Sequence, residues 1–199
     1  MASIFLKSTT TLILIFSAFC IATAIILDTD GDALRNGGQY YILPQSIGFG
    51  GGLTLKSKSG YSPCPLYITR ENDETSPGIP VTIASPARIA IITSSLPISI
   101  VFNDIPNICM QPLGWQVIPD GTTGQSYVAT GGSGIPFNPT ETFSIEQIGD
   151  NNVYKISNKA GSGEARDVGF FEKDGLLGIT NDIPLPIVFR KAFDVLSMV

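Results

Sequence analysis

The chain has 199 residues, with 12 basic and 17 acidic side chains, a net charge of −5 and no histidine. Such an acidic chain lacks the basic surface that binds phosphates, so we expect neither a nucleic-acid partner nor a membrane partner. Without histidine the chain cannot build a Ser-His-Asp or Cys-His nucleophile system, and it lacks the commonest ligand of catalytic zinc. We therefore expect no enzyme, no cofactor and no metal site. Hydrolysis by a pair of carboxylates is the one formal exception.

The amino-terminal segment has the order of a secretory signal. Lys7 precedes an apolar run from Leu12 to Leu27, and Ala22-Thr23-Ala24 provides small residues at the spacing that signal peptidase accepts. We interpret residues 1–24 as a signal peptide and residues 25–199 as one mature domain. The alternative is a membrane anchor, but polar residues interrupt the run before it reaches the length that spans a bilayer. The sequence therefore predicts a secreted protein.

The cysteines agree with an oxidising compartment. Cys20 is lost with the predicted signal peptide, so the mature chain keeps Cys64 and Cys109. In an oxidising compartment two cysteines can pair, and closing so long a loop stabilises a fold by about 4 kcal/mol on chain-entropy grounds. The alternative is a pair of free, buried thiols.

The mature chain consists of short apolar runs between residues that favour turns, without a helical apolar stripe. This pattern predicts an all-β fold, and about a dozen short strands at this spacing are typical of a closed barrel or a sandwich. We interpret Asn151-Asn152 and Asp174-Gly175 as hairpin turns. Two glycine-rich segments, 48–52 and 131–134, are interpreted as turns and loops because no phosphate-binding motif follows them. The predicted strands are Gln39 to Leu43, Leu53 to Leu55, Leu66 to Ile68, Val81 to Ile83, Ile89 to Ile92, Ile98 to Phe102, Trp115 to Ile118, Tyr127 to Thr130, Phe143 to Ile148, Val153 to Ser157, Gly169 to Phe171, Leu176 to Thr180 and Ile187 to Phe189.

The start of the mature chain has a specific pattern. Residues 26–42 read I-L-D-T-D-G-D-A-L-R-N-G-G-Q-Y-Y-I, and their Asp, Gly, Leu, Tyr and Ile positions resemble the amino-terminal signature of plant Kunitz-type protease inhibitors. The similarity covers nearly the whole mature chain. It continues at Cys64-Pro65-Leu66, at Ser85-Pro86-Ala87-Arg88-Ile89, from Phe102 to Cys109, and at Gly114-Trp115.

This resemblance implies a β-trefoil of twelve short strands, six forming a barrel and six capping it as hairpins. It also implies a disulfide between Cys64 and Cys109, a monomer, and an extracellular (apoplast) or vacuolar location. The implied partner is a serine protease, either trypsin-like or an endogenous secreted enzyme. One departure is that Tyr154 to Phe171 contain no cysteine, so the family's usual second disulfide is missing and the loop from Ala160 to Glu164 has less support.

The same resemblance identifies Ser85, Pro86, Ala87, Arg88 and Ile89 as the reactive loop. Arg88 would enter the specificity pocket of the protease, and Ile89 would follow the bond that the protease attacks. Proline fixes its own φ and favours extended geometry in the residue before it, which suits a substrate-like segment. The alternative for Arg88 is a solvated loop cation.

Two further residues have candidate roles. Asn36 matches the family's loop-supporting asparagine, with a turn residue beside Gly37-Gly38 as the alternative. Lys173, in the predicted hairpin tip Glu172 to Gly175, is an alternative reactive site for a partner such as a serine carboxypeptidase, or an exposed turn lysine. A third hypothesis is a carbohydrate-binding or storage β-trefoil without inhibitory activity.

Overall fold

The computed structural model describes residues 24–46, 48–58, 60, 62–103, 105–106, 108–135, 138–149, 151–159 and 164–192. Residues 1–23 of the predicted signal peptide and residues 160–163 of the loop that lacks a disulfide lie outside this range, and the domain boundary at residue 24 stays a prediction. Among the described residues, no helix combines the length and the apolar character needed to cross a membrane.

Twelve β-strands and one short 3-10 turn, Pro139–Glu141, form the regular structure of the described residues. The all-β prediction is confirmed, and each of the twelve strands overlaps a predicted run. The strands are β1 (Gly38–Pro44), β2 (Leu53–Lys56), β3 (Tyr67–Arg70), β4 (Val81–Ala84), β5 (Ser99–Phe102), β6 (Gly114–Pro119), β7 (Ser126–Gly132), β8 (Phe143–Gln147), β9 (Tyr154–Asn158), β10 (Arg166–Phe171), β11 (Leu176–Thr180) and β12 (Ile187–Lys191).

All strand pairs are antiparallel and belong to one closed sheet. The pairing runs β11-β10-β9-β12-β1-β4-β5-β6-β7, and β7 returns to β11 where Tyr127 lies opposite Gly178. In three hairpins, β2–β3, β6–β7 and β10–β11, two consecutive strands pair along most of their length. Strand β8 pairs with β9, and an isolated bridge between Ile98 and Phe143 connects it to the start of β5. The closed path leaves few strand edges free for pairing with other chains.

The core follows from the two-residue period of the strands. In β4 the side chains of Val81 and Ile83 are buried while their neighbours are half-buried, as alternation across a sheet requires. Trp115 is the largest buried side chain, and its ring lies 6.0 Å from that of Phe102 and 5.8 Å from that of Phe143. Burying such a side chain completely is worth about 1.5–3 kcal/mol.

One predicted strand is wrong, and one glycine-rich segment is only partly a loop. Residues 89–92 form no strand. Ile91 makes an isolated bridge to Arg35 of the leading segment, and of the four residues only Ile92 is buried, so the run leads from the exposed loop back to the core rather than along the sheet. Gly131 and Gly132 belong to the end of β7. Both predicted hairpin turns are confirmed: Asn151 and Asn152 have φ of 61° and 59°, and the turn before Gly175 is closed by backbone hydrogen bonds.

The structure contains a disulfide between Cys64 and Cys109, with the two Cα atoms 5.5 Å apart. Cys64 lies in the connection between β2 and β3 and Cys109 in the connection between β5 and β6, so the bond joins the β2–β3 hairpin to the segment that leads into the β6–β7 hairpin. Because the bond spans 45 positions of sequence, it constrains a long segment of the unfolded chain.

A nearly buried ion pair joins the β2–β3 connection to the turn between β6 and β7. Lys58, after β2, pairs with Asp120, after β6, and each side chain is only 9% exposed. The Lys58 ammonium also lies 3.9 Å from the centre of the Tyr127 ring. The hydrogen bond from Lys58, followed by that from the backbone amide of Thr122, lowers the pKa of Asp120 to about 2.

We expect the double variant Cys64→Ser, Cys109→Ser to fold but to lose about 4 kcal/mol of unfolding free energy, because the unfolded chain regains the freedom of the closed loop. Chemical denaturation of variant and parent measures the difference. The parent's intact mass should lack two hydrogens relative to the reduced chain. Full alkylation of the parent without prior reduction would contradict the bond.

We expect acid to weaken the fold partly through Asp120. An unfolded aspartate has a pKa of about 3.9, and in the fold this carboxyl titrates at about 2. Its stabilisation is therefore complete above the unfolded value and is lost as pH falls from about 4 to about 2. Asp120→Asn should have a lower Tm than the parent at neutral pH. Between about pH 4 and about pH 2, its Tm should fall by less than that of the parent. Asp182→Asn, at an exposed position, is the control, and an unchanged pH dependence in Asp120→Asn would contradict the assignment.

Candidate functional site

The segment 85–90 leaves the sheet at the end of β4 and presents its centre to solvent. Pro86, Arg88 and Ile89 are exposed, while Ser85 and Ala87 are half-buried. Arg88 makes no ion pair with any other residue that the structure describes. The structure therefore brings the five predicted loop residues together and leaves a free cation at their centre.

The side chain of Asn36 forms hydrogen bonds with the backbone of this segment at several points. The Asn36 Nδ2 donates to the backbone oxygens of Ser85, Ala87 and Ile89 at 3.2, 3.2 and 3.1 Å. The Asn36 Oδ1 accepts from the Ser85 amide at 2.8 Å, and the Asn36 backbone amide donates to the Ala90 oxygen at 2.9 Å. Alternate carbonyls of the loop thus converge on one carboxamide, on both sides of the peptide bond between Arg88 and Ile89.

The loop also has hydrogen bonds of its own. The Ala87 amide donates to the Ser85 Oγ at 3.3 Å, and the Ile89 amide donates to the Ala87 oxygen at 2.9 Å. The second of these bonds spans only one residue and bends the backbone at Arg88. The segment is consequently not extended throughout, as a simple substrate-like strand would be, and Arg88 lies at the tip of the bend.

The support continues into the core below Asn36. The Gly37 amide donates to the Ile83 oxygen at 2.8 Å, and the Arg35 amide donates to the Tyr40 hydroxyl at 2.8 Å. Tyr40 is 2% exposed. A Cβ at Gly38 would lie 2.8 Å from the Tyr40 ring, so glycine at this position allows the ring to reach the Arg35 amide.

The part played by Tyr40 was missed from the sequence. A buried tyrosine hydroxyl needs a hydrogen-bond partner, and that requirement was the available signal. The partner, five residues earlier in the chain, could be identified only once the turn between them was known. The far end of the loop is fixed as well, since the Ile92 amide donates to the Leu34 oxygen at 2.8 Å.

Lys173 occupies a different hairpin, the tip between β10 and β11. The amides of Asp174 and Gly175 both donate to the Phe171 oxygen, at 3.1 and 2.8 Å, which makes a tight turn. Lys173 is exposed. This turn shares no hydrogen bond with the segment 85–90 among the described residues, so the structure does not join the two candidate sites.

Side chains of two neighbouring strands, β3 and β7, make three contacts with the Lys173 turn. The guanidinium of Arg70 pairs with Glu172 at 3.3 Å, and the Tyr127 hydroxyl donates to Asp174 at 2.6 Å. The Thr69 hydroxyl donates to the Gly175 oxygen at 2.6 Å. Within the described residues, no group of three or more acidic, histidine or cysteine side chains could hold a metal ion.

Comparisons with known proteins agree with these features. Residues 26–191 match the model of the Kunitz legume family, described as trypsin and protease inhibitor. The trypsin inhibitor BvTI of Bauhinia variegata is 33% identical over 171 residues, covering 84% of this chain and 95% of the relative.

Solved structures agree as well. Soybean trypsin inhibitor in its complex with porcine pancreatic trypsin aligns with a TM-score of 0.72 at 29% identity, over 85% of this chain and 99% of that one. The water-soluble chlorophyll protein of Brassica oleracea, with chlorophyll-b, aligns with a TM-score of 0.74 at 25% identity over the same shares. With the family model matching residues 26–191, most of the chain, the protein belongs to the Kunitz legume family of trypsin and protease inhibitors.

Proposed function

We propose that this protein inhibits a trypsin-like serine protease by presenting residues 85–89 in its active site, with Arg88 in the specificity pocket. The observation that carries the proposal is an exposed arginine at the tip of a loop whose alternate carbonyls are held by Asn36. A trypsin-like pocket has an aspartate at its base, which forms a charge-assisted contact with a long cation. The soybean relative, crystallised with trypsin, supports the same partner class.

The hydrogen bonds explain how such a loop would resist proteolysis. Ordering a flexible loop costs binding free energy, and a loop that is already held avoids that cost. If the protease cut the bond after Arg88, Ala87 on one side and Ile89 and Ala90 on the other would still be bound to Asn36. The new amino terminus would stay near the acyl group, which favours religation over release.

We infer that the fold is a β-trefoil in which β1, β4, β5, β8, β9 and β12 form the barrel and the three hairpins form the cap. Support comes from the pairings that connect these six strands in a ring, including the bridge from Ile98 to Phe143. The proposal includes export of a monomer to the extracellular space (apoplast) or the vacuole. The order of basic, apolar and small residues at the amino terminus supports the export.

Lys173 is a second candidate site, because three contacts brace its turn as Asn36 braces the loop at Arg88. The partner we propose for this turn is a different protease from that of the Arg88 loop, such as a serine carboxypeptidase-like enzyme. A carbohydrate-binding or storage role without inhibition is the remaining alternative, and it would leave proteolysis unaffected.

We expect Arg88→Ala to weaken trypsin inhibition at least about thirtyfold, because the pocket aspartate would be buried without a partner, a loss of about 2 kcal/mol or more. Arg88→Lys should retain much of the inhibition, and Arg88→Leu should redirect it toward chymotrypsin-like enzymes. Inhibition constants measure the effect, and Arg166→Ala, at another exposed arginine, is the control. Equal inhibition by Arg88→Ala and the parent, with unchanged melting, would exclude this loop as the reactive site.

We expect Lys173→Ala to leave trypsin inhibition unchanged, because Lys173 lies outside the loop at Arg88. The same substitution should weaken binding to any carboxypeptidase-like partner that contacts the Lys173 turn. A titration against both enzyme classes, with Lys159→Ala as an exposed-lysine control, separates the two loops. The second-site proposal is dropped if Lys173→Ala binds every identified protease as the parent does.

A further inference from the structure

The sequence contains a single Asn-Gly pair, and its asparagine is Asn36. In such a pair the backbone nitrogen of the glycine can attack the side-chain carbonyl carbon of the asparagine. Ammonia leaves, a cyclic succinimide forms, and water opens it to aspartate or isoaspartate. Glycine favours this reaction because no Cβ hinders the approach and its backbone is the least restricted.

We propose that Asn36 is a latent deamidation site, which the native hydrogen bonds keep closed and which irreversibly inactivates the reactive loop once that loop opens. Overall, residue 36 takes up one water molecule and releases one ammonia molecule. The consequence for inhibition rests on the proposed function, whereas the deamidation itself does not.

In the native structure, hydrogen bonds restrain both reacting groups, the Gly37 amide and the Asn36 carboxamide. The nucleophile would be the Gly37 nitrogen, but its proton is donated to the oxygen of Ile83 at 2.8 Å, and Ile83 is fully buried. Removing that proton would leave a buried carbonyl without its donor, which costs free energy. The attack therefore requires the turn to separate from β4 first.

The electrophile is equally restrained. Four hydrogen bonds, to three loop carbonyls and from the Ser85 amide, fix the Asn36 carboxamide. Ring closure makes the planar Cγ tetrahedral and releases the Nδ2 as ammonia, so it must break the bonds that the Nδ2 donates. The contacts that support the loop are thus the same contacts that protect the asparagine.

Neither product can restore the loop. An aspartate carboxylate only accepts hydrogen bonds, so residue 36 would direct an anionic oxygen at carbonyl oxygens that the Nδ2 now contacts at 3.1–3.2 Å. Isoaspartate would add a methylene to the backbone. That addition would displace the two backbone amides that bind the Ile83 and Ala90 oxygens.

The test measures deamidation at each asparagine in the native protein and in the denaturant-unfolded chain with its disulfide intact, both at mildly alkaline pH. Digestion with pepsin in acid stops the reaction and avoids a protease that the protein itself would inhibit. Mass spectrometry of the peptides then gives the rates. We expect Asn36 to react at least about tenfold more slowly in the native protein, since the loss of even one such hydrogen bond costs about 1 kcal/mol and several must open.

The internal control is Asn72, which is exposed and precedes Asp73 rather than glycine, and whose side chain and following backbone amide make no hydrogen bond with the described residues. Its rate should differ little between the native and unfolded samples. Equal rates at Asn36 in the two samples would overturn the proposal.

A second measurement tests the consequence. Asn36→Asp, checked for folding by circular dichroism, should inhibit trypsin at least about tenfold more weakly than the parent. Unweakened inhibition by folded Asn36→Asp would overturn the inactivation. If the parent inhibits no serine protease, the proposed function fails, and the ratio of the two Asn36 rates still decides the deamidation.

Discussion

The candidate site depends on one carboxamide. A primary amide offers two donor hydrogens and one acceptor oxygen, and Asn36 uses them on four backbone groups of a loop that follows β4. No aspartate could replace it, because three of the four partners are carbonyl oxygens that need a donor. A glutamine would carry the amide one methylene further from the backbone that holds it. The shape and the donor count of asparagine are both required.

The rigidity of the loop comes from the core through backbone contacts. Asn36 can hold the loop only because its own position is fixed, by the Gly37 amide on the Ile83 oxygen and by the Tyr40 hydroxyl on the Arg35 amide. Ile83 and Tyr40 are both buried and lie on adjacent strands, β4 and β1. Two short steps therefore connect an exposed arginine to the hydrophobic core. The disulfide and the Lys58–Asp120 pair stabilise other connections and take no part in this chain of contacts.

Much of the fold was predictable because alternation in a half-buried strand is a local property. The runs at Val81 and Phe143 and the turns at Asn151 and Gly175 could be placed from their residues alone. The run at Ile89 misled, because its residue types are typical of a strand although Ile89 and Ala90 are exposed in the loop and only Ile92 reaches the core. Ring closure depends on pairings between residues far apart in sequence, such as Tyr127 with Gly178, and no local pattern encodes those.

For the candidate site, too, some features could be predicted from the residue types, whereas others required the three-dimensional structure. A resemblance suggested roles for Arg88 and Asn36, but the carbonyls that Asn36 binds became visible only in three dimensions. Those partners are backbone atoms, so the supporting contacts do not depend on which side chains the loop carries. If Arg88 is the specificity residue, as proposed, it can therefore be exchanged while the contacts of Asn36 and Gly37 stay the same. In the proposed mechanism, specificity and resistance to proteolysis are thus carried by separate residues, so a substitution at Arg88 should change the first and leave the second.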